Sequence, residues 1–262
     1  MDLLSVILVN LGVVLTLVTL LWLASVRLED SSIVDPFWGF GFVVVAWSTG
    51  LLAPSQHARG WLLVALVSIW GLRLSGYLFI RNRGKGEDRR YQAMRNKHGA
   101  RFWWVSLFTV FLLQGVIMWI VSLTFQAGIV SGQEKPLGWI DWLGAIVWAI
   151  GLFFEAVGDG QMAIFKSDPD NKGQVMDRGL WRYTRHPNYF GDFCVWWGLY
   201  LIALAGGGWW TVFCPLLMSF LLLKVSGVTL LEKDIGDRRP GYREYVLRTN
   251  AFFPGPRKPG ND

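Results

Sequence analysis

The sequence predicts an all-α polytopic membrane protein of about seven transmembrane helices. Three observations carry this. Of 262 residues, 53% are hydrophobic and only 17% charged. The apolar residues gather into runs that each approach the ~20 residues a helix needs to cross a bilayer. The 16 tryptophans suit the two interfaces of a membrane, where an amphipathic ring is at home.

The elements follow in order. The first span, 3–26, is a nearly unbroken apolar run. It starts close to the N-terminus without a basic leader or a clear cleavage site, so no cleavable signal peptide is expected. The second, 33–53, opens on Val34-Asp-Pro-Phe-Trp38 and contains Gly39 and Gly41. The third covers 61–80. The connection 82–100 is too polar to insert and predicts a short helix or hairpin at the membrane surface. A fourth span, 103–127, and a fifth, 138–157, come next. Residues 158–188, rich in Gly, Asp, Lys and Asn, read as a second polar excursion. The sixth span is 189–205 and the seventh 209–231. The Pro240-Gly241 pair then marks a turn, and 242–248 carries one or two amphipathic turns returning to the membrane. No soluble domain, long linker or internal repeat interrupts the pattern. The expectation is one membrane domain over 1–262, with substrate-side helices and the first loop in 1–101 and a cofactor-binding half in 102–262.

Charge orients the chain. Basic residues crowd the segments after the third span (Arg81 to Arg101), after the fifth (Lys166 to Arg185) and in the tail (Lys233 to Lys258). The intervening connections are poor in them; 206–208 is Gly-Gly-Gly. The positive-inside rule therefore puts the three basic segments in the cytoplasm and the N-terminus outside. Such a face is also suited to anionic lipid.

Several chemistries are disfavoured. Cys194 and Cys214 lie within spans and read as packing residues, neither a disulfide framework nor a zinc site. Three histidines without ligand spacing predict no metal. There is no Walker A sequence. Gly39-Phe-Gly41 and Gly158-Asp-Gly160 lie on helices, where small-residue packing is the better reading. No nucleic acid partner is expected. A nucleotide would have to be held by side chains.

The densest polar stretch is Gly179-Leu-Trp-Arg-Tyr-Thr-Arg-His-Pro-Asn-Tyr-Phe-Gly-Asp192, which leads straight into an apolar span. Uncompensated polar groups are costly there. Arginines, a histidine and aromatic rings at a helix N-terminus suit a phosphate-bearing, flat-ringed ligand. Together with the tail pattern Glu232…Arg239-Pro-Gly-Tyr-Arg-Glu-Tyr245…Pro254, this stretch resembles the C-terminal half of the membrane steroid 5α-reductases and the sterol C14- and C7-reductases. Gly86-Glu-Asp-Arg-Arg-Tyr91 is similar to the bacterial branch of the 5α-reductase group. The Arg-His-Pro core also resembles isoprenylcysteine carboxyl methyltransferases and phospholipid methyltransferases, which use S-adenosylmethionine. Asn188 after the proline and Asp192 after the glycine look more like the reductases. The resemblance is specific over roughly 159–254, looser over 70–91 and weak before that.

What the resemblance implies is an NADPH site on the cytoplasmic side of a bacterial inner membrane or its equivalent. Tyr183, Asn188 and Asp192, with Tyr189 between them, match positions at the nicotinamide and ribose end. Arg185 and His186 match positions near the phosphates. Gln161, Lys166 and Asp168 fall where adenosine contacts arise. Glu232, Arg239, Tyr242 and Tyr245 match the tail that closes over the cofactor, and Arg81, Glu87, Asp88, Arg89 and Tyr91 are the first-loop contributors. Interfacial anchoring or snorkelling is the plainer alternative for the arginines and tyrosines.

For the substrate end, Asp35 is the leading candidate, because an intramembrane acid is a functional hypothesis by default. In the resembled reductases, a glutamate before a proline near this position polarises the 3-keto oxygen with help from a tyrosine on the third helix. Here the acid is one methylene shorter, Trp70 falls at the tyrosine position, and Tyr77 follows two turns later. Tyr77 and Trp38 are the expected partners of Asp35, and an Asp-Pro helix cap is its structural alternative. Arg73 and Glu155 are further ionisable groups in or near spans, available to pair with each other or with Asp35, or to reach the interface. The implied reaction is reduction of the 4,5 double bond of a 3-oxo-4-ene steroid or similar lipid enone entering from the bilayer. The alternative is a membrane methyltransferase. Oligomeric state is not encoded legibly, and a monomer satisfies the reading.

Overall fold

The computed structural model describes residues 1–54, 57–131, 136–225 and 241–258. Among these residues the secondary structure is helical, as expected for an all-α membrane protein. Five helical stretches are long and apolar enough to cross a bilayer: Leu3–Leu28, Ser31–Leu52, Ala58–Asn82, Arg89–Ser131 and Trp139–Ser167. The expected sixth span forms Pro187–Ala205, 19 residues long. The seventh begins as a shorter apolar stretch, Trp209–Val225. Its remainder lies outside the described residues.

The chain forms two compact units, Met1–Gly138 with Ile202–Cys214, and Trp139–Leu201 with Pro215–Asp262. In the first, α1 (Leu3–Leu28) is capped by Asp2, whose carboxylate accepts the Ser5 N–H at 2.8 Å. Asp30 caps the single turn Ser31–Ile33, which leads into α2 (Val34–Leu52). α3 (Ala58–Asn82) packs on α2 through paired glycines: a Cβ on Gly71 would stand 2.5 Å from the Gly39 carbonyl oxygen. The backbones can approach this closely only because neither residue has a side chain. Gly41 likewise makes room for Met118.

The polar connection contains a helix, α4 (Arg89–His98), which ends at Gly99 with φ 54°. α5 (Phe102–Ser106), a π-helical turn (Leu107–Leu112) and α6 (Leu113–Ser131) complete the fourth span. The core holds Phe42, Trp70 and Phe125, with Phe42 ring centroids 5.7 and 6.3 Å from the other two. Trp70 is fully buried, which makes it a core residue at the position where the resemblance expects a tyrosine. One polar knot crosses this interior. The Asn10 amide donates to Thr49 at 2.8 Å and to Gln126 at 2.9 Å, and Gln126 donates to Ser122 at 2.7 Å. In lipid each such bond is worth about 0.6 kcal/mol, and together they fix the rotation of α1, α2 and α6.

In the second unit, α7 (Trp139–Ser167) runs ten residues beyond the expected span. The glycines near 158 do not end it. Gly144, Gly151 and Gly158, seven apart, face α8 (Pro187–Ala205) at Gly198, Gly191 and Pro187. A glycine inside a helix costs about 1 kcal/mol relative to alanine, but here it is compensated by backbone-to-backbone packing. Gly160, by contrast, has open space where a Cβ would go. After α9 (Phe213–Phe220), the described tail contains α10 (Tyr242–Arg248).

Candidate active site

Asp35 lies in the first turn of α2, followed by Pro36. Its carboxylate does not cap its own helix. Oδ1 accepts the Tyr91 hydroxyl at 2.8 Å, and Oδ2 accepts Arg90 Nη2 at 2.8 Å. The cap of the preceding turn is Asp30, whose carboxylate takes the Ser32 backbone N–H and hydroxyl. Asp35 is thus aimed away from the helix, at groups contributed by α4. The cation on it is Arg90, not Arg73. Gln114, on the first turn of α6, donates to the Tyr91 oxygen at 3.4 Å. Tyr91 is 6% exposed, while the Arg90 side chain is 53% exposed. Arg90 can therefore be replaced by water at small cost, whereas the buried phenol has no substitute.

α4 is locked in place by the acids preceding it. Glu87 accepts Arg95 Nη2 at 2.8 Å, Arg95 Nε at 2.9 Å and the Ser31 backbone N–H at 2.9 Å. The Asp88 N–H donates to the Ser32 hydroxyl at 2.8 Å. Burial pushes the Glu87 carboxyl up, but the bonds from Arg95 and Ser31 outweigh it and hold the group below the usual glutamate range. Asp88 is also held low: burial is overcome by the Arg90 side chain and backbone N–H. Both acids are therefore clamps on α4.

The other expected groups of this unit are arranged around that centre. Trp38 lies one turn after Asp35 and packs edge-on against Phe42, centroids 5.3 Å apart. Tyr77, on α3, carries the Arg81 guanidinium 5.8 Å above its ring. It is Tyr91, and not Tyr77, that hydrogen-bonds Asp35. Arg89 is exposed. Sequence reasoning missed Arg90 and Gln114. Arg90 was hidden in a basic run, but an amide within an apolar span was a readable signal.

In the second unit, the polar stretch 179–192 is tied down on both sides. Gly179, at φ 57°, brings the chain against Gln161, whose Oε1 accepts the Leu180 N–H at 2.9 Å. Trp181 Nε1 donates to the Gly158 carbonyl at 3.0 Å. The Tyr245 hydroxyl donates to the Trp181 carbonyl at 2.6 Å, and burial pushes that phenol well up. Tyr242 packs beside it, centroids 5.8 Å apart. Arg185 Nη1 donates to the carbonyls of Val246 at 3.1 Å and Thr249 at 2.9 Å, closing the C-terminal end of α10. The residues after α10 return along the motif: Arg185 N–H to Asn250 O, Thr184 hydroxyl to Phe252 O, and Gly255 N–H to Tyr183 O.

At the start of α8, Asn188 donates to Asp159 at 3.2 Å, and His186 stacks on Tyr189 with centroids 5.7 Å apart and planes 9° from parallel. Asp192 follows one turn along. Lys166 and Asp168 are exposed. Glu232 and Arg239 lie outside the described residues. A dinucleotide needs cations for its phosphates, and one Arg185 nitrogen is already occupied by helix carbonyls. Arg178 and Arg182 are exposed, with no carboxylate within 4 Å among the described residues, and Tyr183 beside them is 46% exposed. This donor set fits a phosphate-bearing ligand with a ring to stack.

Residues 21–249 match the family described as Protein of unknown function (DUF1295). This chain belongs to that family. The DUF1295 family includes steroid 5α-reductase-like membrane proteins. The chain is also similar to "Uncharacterized protein C594.04c" of Schizosaccharomyces pombe, 25% identical over 267 residues covering 89% of this chain and 75% of the relative. A shorter match, 42% identical over 92 residues, is to the "Probable O-methyltransferase ustE" of Ustilaginoidea virens; it covers 35% of this chain and 31% of that protein. No solved structure matches significantly.

Proposed function

We propose that this DUF1295 protein reduces the carbon–carbon double bond of a lipid enone, a 3-oxo-4-ene steroid or a molecule of that shape, with NADPH as reductant. The convergence of Tyr91 and Arg90 on Asp35, at the head of a membrane span, with Gln114 in turn on Tyr91, carries this reading. In the resting arrangement the Tyr91 O–H points at the Asp35 carboxylate. An arriving ketone takes that O–H as a hydrogen-bond donor. Asp35, balanced by Arg90, aims the phenol until the ketone takes over its one O–H, while the Gln114 N–H donates to the phenol oxygen throughout, holding it in place and strengthening it as a donor. Negative charge developing on the keto oxygen then meets a preorganised donor in a site short of water. When bound, NADPH would supply a hydride for the β-carbon, and a proton from water at the α-carbon would complete the reduction. Arg178 and Arg182 would hold phosphates, and Tyr183, His186, Asn188 and Asp192 the nicotinamide and ribose.

Losing one such donor typically costs about 10²–10³ in turnover. Tyr91→Phe should therefore lower kcat for a 3-oxo-4-ene steroid by that factor while leaving NADPH affinity unchanged. Turnover equal to wild type would remove Tyr91 from the mechanism. The local similarity to an O-methyltransferase supports a second reading, methyl transfer from S-adenosylmethionine. Thermal stabilisation of the purified protein by NADPH or by S-adenosylmethionine separates the two.

A further inference from the structure

Residues 81–101 hold eight basic and two acidic side chains. Both acids are already engaged: Glu87 by Arg95 and Asp88 by Arg90. Arg83, Lys85, Arg89, Lys97 and Arg101 have no carboxylate within 4 Å among the described residues, and all five are exposed. The helix in their midst has two faces. Tyr91, Met94, Arg95 and His98, spaced i, i+3, i+4, i+7, are buried or half-buried, whereas Arg89, Ala93, Asn96 and Lys97 are exposed.

The depth of this helix follows from its neighbours. Before it, the last turns of α3 present Phe79 at 61% and Ile80 at 76% exposure. After it, Trp103 and Trp104 are exposed at 55% and 44%. Apolar side chains this open on spanning helices belong in lipid, with tryptophan at its boundary. α4 is bracketed between them, at headgroup level.

We infer that the exposed face of α4, with its flanking turns, docks onto an anionic phospholipid surface. Unpaired cations at headgroup depth are complementary to lipid phosphates carrying net negative charge. Without that surface the cations repel one another. With it, α4 is pressed against α2, and its buried face keeps Tyr91 on Asp35. This docking depends on charge and depth alone, so it stands or falls independently of the reaction proposed above.

The test is amide hydrogen exchange of α4 in the full chain. The protein is placed in nanodiscs of phosphatidylcholine alone or of phosphatidylcholine doped with phosphatidylglycerol. The α4 amides should exchange about fivefold more slowly in the anionic discs, with α1 unchanged and the effect lost in high salt. The triple variant K85Q/K97Q/R101Q should lose the difference. K85R/K97R/R101K, which keeps the charge, should retain it and so shows that a loss is not misfolding. Inorganic phosphate added to phosphatidylcholine discs should not reproduce the protection; if it does, the site takes free phosphate and the lipid proposal fails. Equal exchange in both lipids, or a difference that survives in the glutamine variant, overturns it.

Discussion

Gly191→Ala is the sharpest test of how the second unit is built. A Cβ at this position would stand 2.5 Å from the Gly151 carbonyl oxygen and 2.6 Å from the Glu155 backbone nitrogen. Both obstacles are main chain, so no side chain can rotate out of the way. Reaching ordinary contact, about 3.4 Å, requires α7 and α8 to part by roughly 1 Å, which loosens the neighbouring pairs Gly144–Gly198 and Gly158–Pro187 as well. Overpacking of this kind costs about 1–3 kcal/mol, and a backbone obstacle belongs at the upper end. For a chain of this size that lowers Tm by roughly 6–12 °C. Gly160→Ala is the control: one more methyl on the facing helix, α7, with nothing within 4 Å. It should be neutral or gain up to about 1 kcal/mol from helix propensity. Thermal unfolding of the two variants in one detergent decides the matter. A Gly191→Ala protein that melts with the wild type, or a Gly160→Ala protein that falls as far, would refute the seam.

Arg185→Met keeps the side chain's bulk but frees the carbonyls of Val246 and Thr249, so it should cost about 1–2 kcal/mol and expose the tail to limited proteolysis well before α8. Glu87 gives a pH signature. Its folded carboxyl lies below the usual range, so the unfolded chain binds more protons. Its stabilisation is complete above the ordinary glutamate value and is lost as pH falls through the folded one. The stability gap between wild type and Glu87→Gln should be constant near neutrality and close below roughly pH 4 in thermal melts. Gln114→Leu, which removes the amide but keeps the volume, should reduce turnover less than Tyr91→Phe does. Steady-state kinetics on the same enone checks that order.

The spans were legible because lipid allows only one solution for an apolar run, a helix with its backbone bonds satisfied internally. Boundaries fared worse where glycine has two meanings. Gly158 itself read as helix packing, yet the expected span stopped at 157, because the residue it packs against, Pro187, is 29 positions away. Trp70 and Tyr77 show the same limit at the site. The resemblance put Trp70 where a tyrosine was expected and left Tyr77 as the partner of Asp35 on α3, yet the phenol that reaches it comes from a connection whose composition reads as basic. Asp35 itself stood out at once, since an acid in a span needs a reason. The choice between cap and site was a matter of aim, which spacing does not encode.

The π-helical turn at Leu107–Leu112 has a genetic consequence. Such a turn carries about one residue more than an α-turn, and each residue advances a helix by about 100°. Deleting any single residue there would let the span close into a regular α-helix of adequate length, still able to insert. The rotation would fall between Trp103, whose carbonyl holds Trp22, and Gln114, which holds Tyr91. One of the two would have to lose its partner. A one-codon deletion in this stretch should thus yield a protein that is made and inserted at normal levels but is inactive, whereas the same deletion beside Gly207, in the connection before α9, should leave the Tyr91 centre intact.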